Sequence, residues 1–587
     1  MLKILVNMGL ISDYIKEIFM ARNVLARHPV ARPEPKSIKH LVQMAVDEVG
    51  DQISHKYRGK DGVVEVTFRE FQKDTFYLGT ALVDMGLESG HIACAGENSY
   101  NWITVFVTAL QSKGVFCPID KDLPDDDLVN IINHGDDDII FCDKKREEAF
   151  KRIRDRISRV KYFICFDREE DENEFLSFGK LIAKGKELYE GGDTRFAEIE
   201  NEDKQKLKML IYTSGTTGLA KGVMLSEHNI LSLVHWGIQL TTLRDVALSV
   251  LPYHHCYESI TGLLVAIHLK ITLCINDSLK RVVKNMALYK PSYMYVVPAL
   301  LEVVYRRMIA SIEEKGKTKK VQTGIKLSRF LRAIGIDKRR EIFAELHAAF
   351  GGRLVKIICG GAPLRAEIVK FFDDIGIIVT NGYGITECSP LVAVNTDFDN
   401  DPKTVGYPMG CIDVRIAEPN EDGEGEICVK GDIVMLGYYK NEQATKDVFT
   451  DDGYFCTGDY GKLTKKGQIM ITGRKKNIII LGNGKNIYPE ELEEYIGNIP
   501  YVLENIVYAD RNEDGREENL AVQCVLDPEY LKSGDIAELQ AKLKHDVFVA
   551  LEKLPTYKQV NNVIIRETPF VKTTTNKIRR AKDGSPM

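Results

Sequence analysis

At 587 residues, with a hydrophobic share of 44% and a charged share of 28%, the chain is too long for one hydrophobic core and too ordinary in composition for a disordered or fibrous protein. Its 79 basic and 85 acidic residues leave a formal net charge of −6, so no global field draws it to nucleic acid. The 12 cysteines are scattered without a CxxC pair or a zinc-finger spacing, which predicts reduced thiols in a cytoplasmic protein rather than a disulfide framework.

The opening stretch MLKILVNMGLISDYIKEIFMARN has an apolar run broken by Asn7, Asp13, Lys16 and Glu17 and no small-residue cleavage site, so it does not read as a signal peptide. It does carry a stripe at helical spacing, Ile4, Met8, Ile11, Ile15 and Ile18. No run reaches the roughly 18–20 apolar residues of a membrane span. From about residue 67 to 143 helical patterns alternate with short apolar runs such as HIACAG and VFCPI, and a second such region runs from about 207 to 394. That rhythm predicts βαβ units in two stacked α/β subdomains. The acidic runs 125–127 and 136–138 read as a helix start and a solvated turn, with no metal assigned to them.

After Pro402 short strands split by turn signals predict a small antiparallel or β-barrel-like region. Past Arg474, the runs IIIL, NIVYAD, LAVQCVL and NVIIR alternate with helical segments starting at Pro489 and Ile536, a compact α+β unit. The expected architecture is α/β. A large N-terminal body over 1–473 holds two stacked α/β subdomains plus the barrel-like region, a hinge lies at 474–477, and a separate small α+β C-terminal domain spans 478–587.

The sharpest chemical signal is YTSGTTGLAKG (212–222), directly after the apolar run MLIY. Glycines let backbone N–H groups turn toward an anion, hydroxyls donate further hydrogen bonds and a lysine adds charge. Thr213, Ser214, Gly215, Thr216, Thr217, Gly218 and Lys221 thus make a phosphate cradle. The string is not GxxxxGK[ST], and the next helix starts near Ser226, so anion binding rests on the loop itself. Further along, NGYGITECSP (381–390) places a hydroxyl, Thr386, and a hard oxygen ligand, Glu387, after a glycine turn.

With this string, the segments LPYHHCYE (251–258), CGGAPL (359–364), NGYGITECSP, YFCTGDYG (454–461), ITGRKKN (471–477) and KTTTNKIRR (572–580) occur in one order over most of the chain. In that order and spacing the sequence resembles the acyl-adenylate-forming superfamily of acyl-CoA ligases, luciferases and peptide-synthetase adenylation domains. The resemblance implies that ATP and Mg²⁺ are used, with the metal between Thr213 and Glu387. It places adenine against Gly361, Ala362, Pro363 and Tyr383, with Asn381, Gly382, Gly384 and Thr386 in the same ATP site. Asp459 accepts the ribose hydroxyls, Arg474 reinforces them, and Lys577 bridges the substrate carboxylate and the α-phosphate. Of the two adjacent histidines, whose periodicity leaves their orientation open, the pattern selects His255, between acyl pocket and nucleotide.

CoA is the implied acceptor, with its pantetheine arm passing Gly482, Asn483, Gly484 and Lys485. There the family more often has Ser-Gly-Gly, and Asn576 stands where it has a glycine before the lysine. The resemblance also implies that the small domain rotates at Lys476 between two half-reactions. His255, Cys256 and Tyr257 occupy the place where amino-acid adenylating domains hold an aspartate. A long basic helical insert before CGGAPL is of the kind seen in long-chain fatty acyl ligases. The expected activity is therefore conversion of a long-chain fatty acid to acyl-AMP and then acyl-CoA. The alternatives are a fatty acyl-AMP ligase loading a carrier protein and a non-catalytic acyl-nucleotide binder.

Within the insert, residues 306–340 carry twelve Lys/Arg against three acids. A solvated face and a peripheral contact with anionic lipid both account for that charge. Nothing in the sequence speaks to oligomeric state.

Overall fold

A computed structural model of the chain describes residues 32–201, 203–213, 220–480, 486–511, 517–572, 578–581 and 584–586. Two large sheets form the body. The first runs, edge to edge, through Gly437–Tyr438, Lys221–Ser226, Leu207–Thr213, Val115–Ile119, His91–Ala95, Ile139–Cys142, Tyr162–Cys165 and Phe175–Ser177. The second runs through Tyr407–Pro408, Ala393–Val394, Ile378–Tyr383, Lys356–Gly360, Tyr293–Val296, Val246–Ser249, Thr272–Ile275, Ile53–Arg58 and Val63–Thr67. Central strands such as IIFC and YMYV are buried at every residue, as parallel strands covered on both faces must be.

The largest apolar cluster joins side chains of both sheets to the helices Phe68–Asp84 and Tyr100–Gln111. Trp102, Phe106 and Phe116 meet there with ring centroids 5.1–5.4 Å apart. The helix Tyr100–Gln111 is apolar nearly all round and buried nearly all round, the composition a helix needs when it lies inside a core rather than on its surface. A second cluster covers the opposite face of the first sheet with Leu128, Ile132 and Phe150.

The two α/β subdomains are present, but they do not divide where the apolar rhythm breaks. Leu207–Thr213 and Lys221–Ser226 join the first sheet, whereas Ile53–Arg58 and Val63–Thr67, from the start of the described chain, join the second through a parallel pairing with Thr272–Ile275. Rhythm along a chain reports element type, and sheet membership depends on crossovers that it does not encode. Beyond Pro402, Ile412–Ala417, Gly425–Gly431, Phe455–Leu463 and Ile469–Arg474 form an antiparallel sheet in that order. Residues between Ile479 and Val563 make an apolar cluster of their own around the helices Pro489–Gly497 and Ile536–Leu551. The basic insert forms the helices Pro298–Glu314 and Thr318–Ala333. Among the described residues no helix is long and apolar enough to cross a membrane.

Candidate active site

Two strands that flank the glycine-rich string pair with each other as the arms of a β-hairpin. Leu207–Thr213 and Lys221–Ser226 pair antiparallel with Thr213 opposite Lys221, and Ser226 then caps the helix Glu227–Trp236 through a reciprocal bond with Asn229. Ser214, Gly215, Thr216, Thr217 and Gly218 lie outside the described residues. At the base of the loop, Lys221 Nζ sits 4.7 Å from the centroid of the Tyr438 ring, and the Tyr438 hydroxyl donates to Glu387 Oε1 at 2.9 Å. Burial, with Glu387 beside it, pushes the Tyr438 phenol pKa up, so it remains a donor. A cation, a ring and a carboxylate from three separate segments are thus linked, the first contact being worth about 0.5–2 kcal/mol.

Glu387 and Thr386 lie in the tight turn Thr386–Cys388 that follows the strand Ile378–Tyr383. The chain can reach that turn only because residue 384 is glycine: a Cβ there would lie 1.6 Å from the Pro390 carbonyl oxygen. On the neighbouring strand Gly360 is opposite Gly382. Gly361, at φ +91, then turns the chain so that Ala362 and Pro363 stand exposed beyond the strand end. This is the carboxyl edge of parallel strands, where α/β folds gather ligands.

Asp459 faces that edge from the antiparallel sheet, in register with Arg474. Only 4% exposed, it is paired on both oxygens: Arg474 Nε lies 3.0 Å from Oδ1 and the Tyr383 hydroxyl donates to Oδ2 at 2.7 Å. Tyr383 is therefore pinned by its hydroxyl as well as buried. Asn381 is nearly buried and donates to the Pro402 carbonyl at 3.3 Å.

The two histidines differ. His254 is buried, its Nε2 3.6 Å from Asp120 Oδ2, and burial pushes its pKa down. His255 is half-buried at the start of the short helix Cys256–Glu258, with the two rings 4.3 Å apart. Cys256 Sγ reaches Thr386 Oγ1 at 3.8 Å, joining this segment to the turn that bears Glu387.

One cleft of about 4940 Å³ brings these groups together: Thr213, Lys221, His255, Tyr383, Glu387 and Asp459 all line it. It continues between the helices Pro298–Glu314 and Thr318–Ala333, where Val304, Met308, Ile312, Val321 and Leu327 form its wall. Lys476 occupies the exposed turn Lys475–Asn477. Lys577 and the run Gly482, Asn483, Gly484 and Lys485 lie outside the described residues; Lys572 and Ile578, on either side of Lys577, line the cleft. Sequence reasoning missed Tyr438 and Asp120. Asp120 directly follows the strand Val115–Ile119, a position that the carboxyl-edge rule flags. Tyr438 had only the pair Gly437-Tyr438 after an apolar run as a signal.

The model of the family described as AMP-binding enzyme matches residues 43–439. Long chain acyl-CoA synthetase 4 of Arabidopsis thaliana is 29% identical over 485 residues, covering 77% of this chain and 72% of the relative. A second Arabidopsis thaliana protein, the long-chain-fatty-acid–[acyl-carrier-protein] ligase AEE15, chloroplastic, is 26% identical over 93% of this chain and 85% of its own length. Among solved structures, an anthranilate CoA ligase in complex with anthranoyl-AMP superposes with a TM-score of 0.74 at 17% identity, covering 94% of this chain and 97% of the other, a likeness of fold. With the family model spanning well over half its length, this chain belongs to the AMP-binding enzymes.

Proposed function

We propose that the protein activates a long-chain fatty acid with ATP, releasing pyrophosphate, and passes the acyl group from the adenylate to CoA, releasing AMP. The observation that carries this reading is the single cleft with two unlike ends. At one end Lys221, Tyr438, Glu387, Asp459 and Arg474 present fixed charge at a glycine-rich hairpin; at the other, apolar helix faces line a channel.

The residues present suit ATP. The Asp459 carboxylate has further lone pairs beyond the two contacts it makes and can accept ribose hydroxyls beside Tyr383 and Arg474. Glu387, held through one oxygen by Tyr438, and Thr213, at the mouth of the hairpin loop, are hard oxygen donors of the kind Mg²⁺ takes. Bound there, the ion neutralises phosphate charge. Lys577 supplies the cation that lets carboxylate and α-phosphate approach. Rotation of residues 478–587 about Lys476 then withdraws Lys577 and brings in Gly482, Asn483, Gly484 and Lys485 for the pantetheine arm. The separate apolar core of that unit and the exposed turn at Lys476 support a body that moves as one.

The insert supports docking on an anionic membrane surface, the phase into which long-chain acids partition. Leu327, Phe330, Ile334 and Ile336 are exposed on it. Among the described residues six of its twelve basic residues are engaged in ion pairs, such as Arg329 with Asp374, Arg332 with Asp373 and Lys317 with Glu345. The field offered to lipid therefore comes chiefly from the other six, among them Arg307, Lys315, Lys319, Lys320 and Lys326. Incubation with palmitate, ATP, Mg²⁺ and either CoA or an acyl-carrier protein tests the acceptor. Palmitoyl-CoA with stoichiometric AMP is expected; acylation of the carrier alone reassigns the second step, and no acyl transfer or adenylate at all leaves a binding protein.

A further inference from the structure

On the face of the first sheet turned toward Leu128 and Phe150, a polar corner has no part in the reaction above. His91 opens the strand His91–Ala95, and Cys117 stands opposite Ala93 on the adjacent strand, so His91 and Cys117 share one face of the sheet. Asp137 enters the same corner from the turn before Ile139–Cys142. One ring nitrogen of His91, the Cys117 sulfur and one Asp137 carboxylate oxygen all lie within 4.8 Å of one another.

Asp137 is 0% exposed. Reading 136–138 as one solvated turn holds for Asp136, which pairs with Lys440 at 2.6 Å, but not for Asp137. Among the described residues neither of its carboxylate oxygens has a partner at ordinary hydrogen-bond geometry, and the side chain that acts on it most strongly is the Cys117 thiol. A buried carboxylate in that position is costly unless it is protonated or meets a cation. His91 Nδ1 lies 2.5 Å from the Gly135 carbonyl oxygen; as the donor in that bond it leaves Nε2 with its lone pair, the arrangement by which metal-binding imidazoles are oriented. Gly135 also brings the corner close to the hairpin: a Cβ on it would lie 3.2 Å from the Tyr212 hydroxyl and 3.4 Å from Asp137 Oδ2, and Tyr212 directly precedes Thr213.

We propose that His91, Cys117 and Asp137 bind one divalent transition-metal ion of the zinc class, separate from the metal that accompanies ATP. Imidazole, thiolate and carboxylate are the three donors zinc takes, at about 2.0–2.3 Å each, and a thiolate selects against magnesium. Those bond lengths need the three donor atoms about 3.3–3.8 Å apart in a tetrahedral set, which small side-chain rotations bring about. Binding displaces the Cys117 thiol proton and the Asp137 proton to solvent. The ion clips two strands and a turn at the root of the phosphate-binding hairpin.

The test is titration of the chelator-stripped full chain with Co²⁺ and Zn²⁺ in the absence of ATP, read by metal stoichiometry and by the thiolate-to-cobalt charge-transfer band. One equivalent bound is expected. Cys117→Ser and His91→Gln each weaken binding at least about tenfold, while Cys411→Ser leaves it unchanged, with circular dichroism reporting the fold of each variant. Stoichiometry far below one in the wild type overturns the site, as does a band of equal affinity in Cys117→Ser. Should Cys117→Ser not fold, unchanged affinity in His91→Gln, which alters the half-buried edge of the corner, overturns it equally.

Discussion

The two ends of the cleft are built on opposite plans. At the proposed nucleotide end, Lys221, Glu387 and Asp459 already have partners, Tyr438 bridging the first two and Tyr383 with Arg474 holding the third. At the proposed acyl end, the insert supplies an apolar wall of Val304, Met308, Ile312, Val321 and Leu327, with Leu327 still 48% exposed. The contrast follows from what each end must do. In the proposed reaction, substitution at phosphorus develops charge that needs donors fixed before the substrate arrives, since a donor that must reorganise gives back what it contributes. An alkyl chain needs only apolar wall, whose attraction is non-directional.

Substitutions at the nucleotide end should therefore be severe and specific to one half-reaction, and those at the acyl end mild. The largest effect is expected at Lys577 and Lys476. Lys577→Ala should reduce acyl-adenylate formation by at least about 10²–10³-fold while still making thioester from supplied acyl-AMP and CoA. Lys476→Pro, which locks φ, should form adenylate and stall before thioester. Equal damage to both half-reactions in each variant would remove the rotating-domain account.

Next in size is the linked carboxylate. Glu387→Gln should lose adenylation even at millimolar Mg²⁺. Tyr438→Phe keeps the ring under Lys221 but removes the bond to Glu387; a hydrogen bond to a charged group is worth about 1.5–3 kcal/mol, so kcat/KM for ATP should fall about tenfold or more, with a higher Mg²⁺ requirement. An unchanged Mg²⁺ dependence would show that Tyr438 does not position Glu387.

At the acyl end, Lys319→Glu with Lys320→Glu and Phe330→Ser should reduce co-sedimentation with anionic vesicles several-fold at low salt and leave adenylation of a soluble acid unaltered. Absence of wild-type binding at low salt would refute membrane docking outright. The smallest effect belongs to Glu258, buried beside Ser249. Burial raises its carboxyl to about 8 from an ordinary value of 4.5. The folded chain then holds a proton that the unfolded chain releases above about pH 4.5, so this group's contribution to stability is present in acid and is lost as pH rises toward about 8. Glu258→Gln should lose less Tm than the wild type between pH 5.5 and pH 8.

Much of this was legible in residue order. The Ser226 cap, the helices beginning at Pro489 and Ile536, and the glycine turn before Glu387 each follow from local rules of capping and backbone freedom. Three things were not legible, for a common reason. The membership of the strands flanking the glycine-rich string in the first sheet, the transfer of strands 53–67 to the second sheet, and the burial of Asp137 beside solvated neighbours all depend on contacts between segments far apart in the chain. Tyr438 belongs with them: its role exists only because Gly437–Tyr438 pairs with the second strand of the hairpin.

The most direct test of the shared cleft is palmitate-dependent ATP–pyrophosphate exchange without CoA. If the hairpin, Glu387 and the apolar channel form one adenylating site, labelled pyrophosphate enters ATP only when palmitate is present, and Glu387→Gln abolishes the exchange. Exchange that is absent, or that proceeds equally without any acid, would contradict that account.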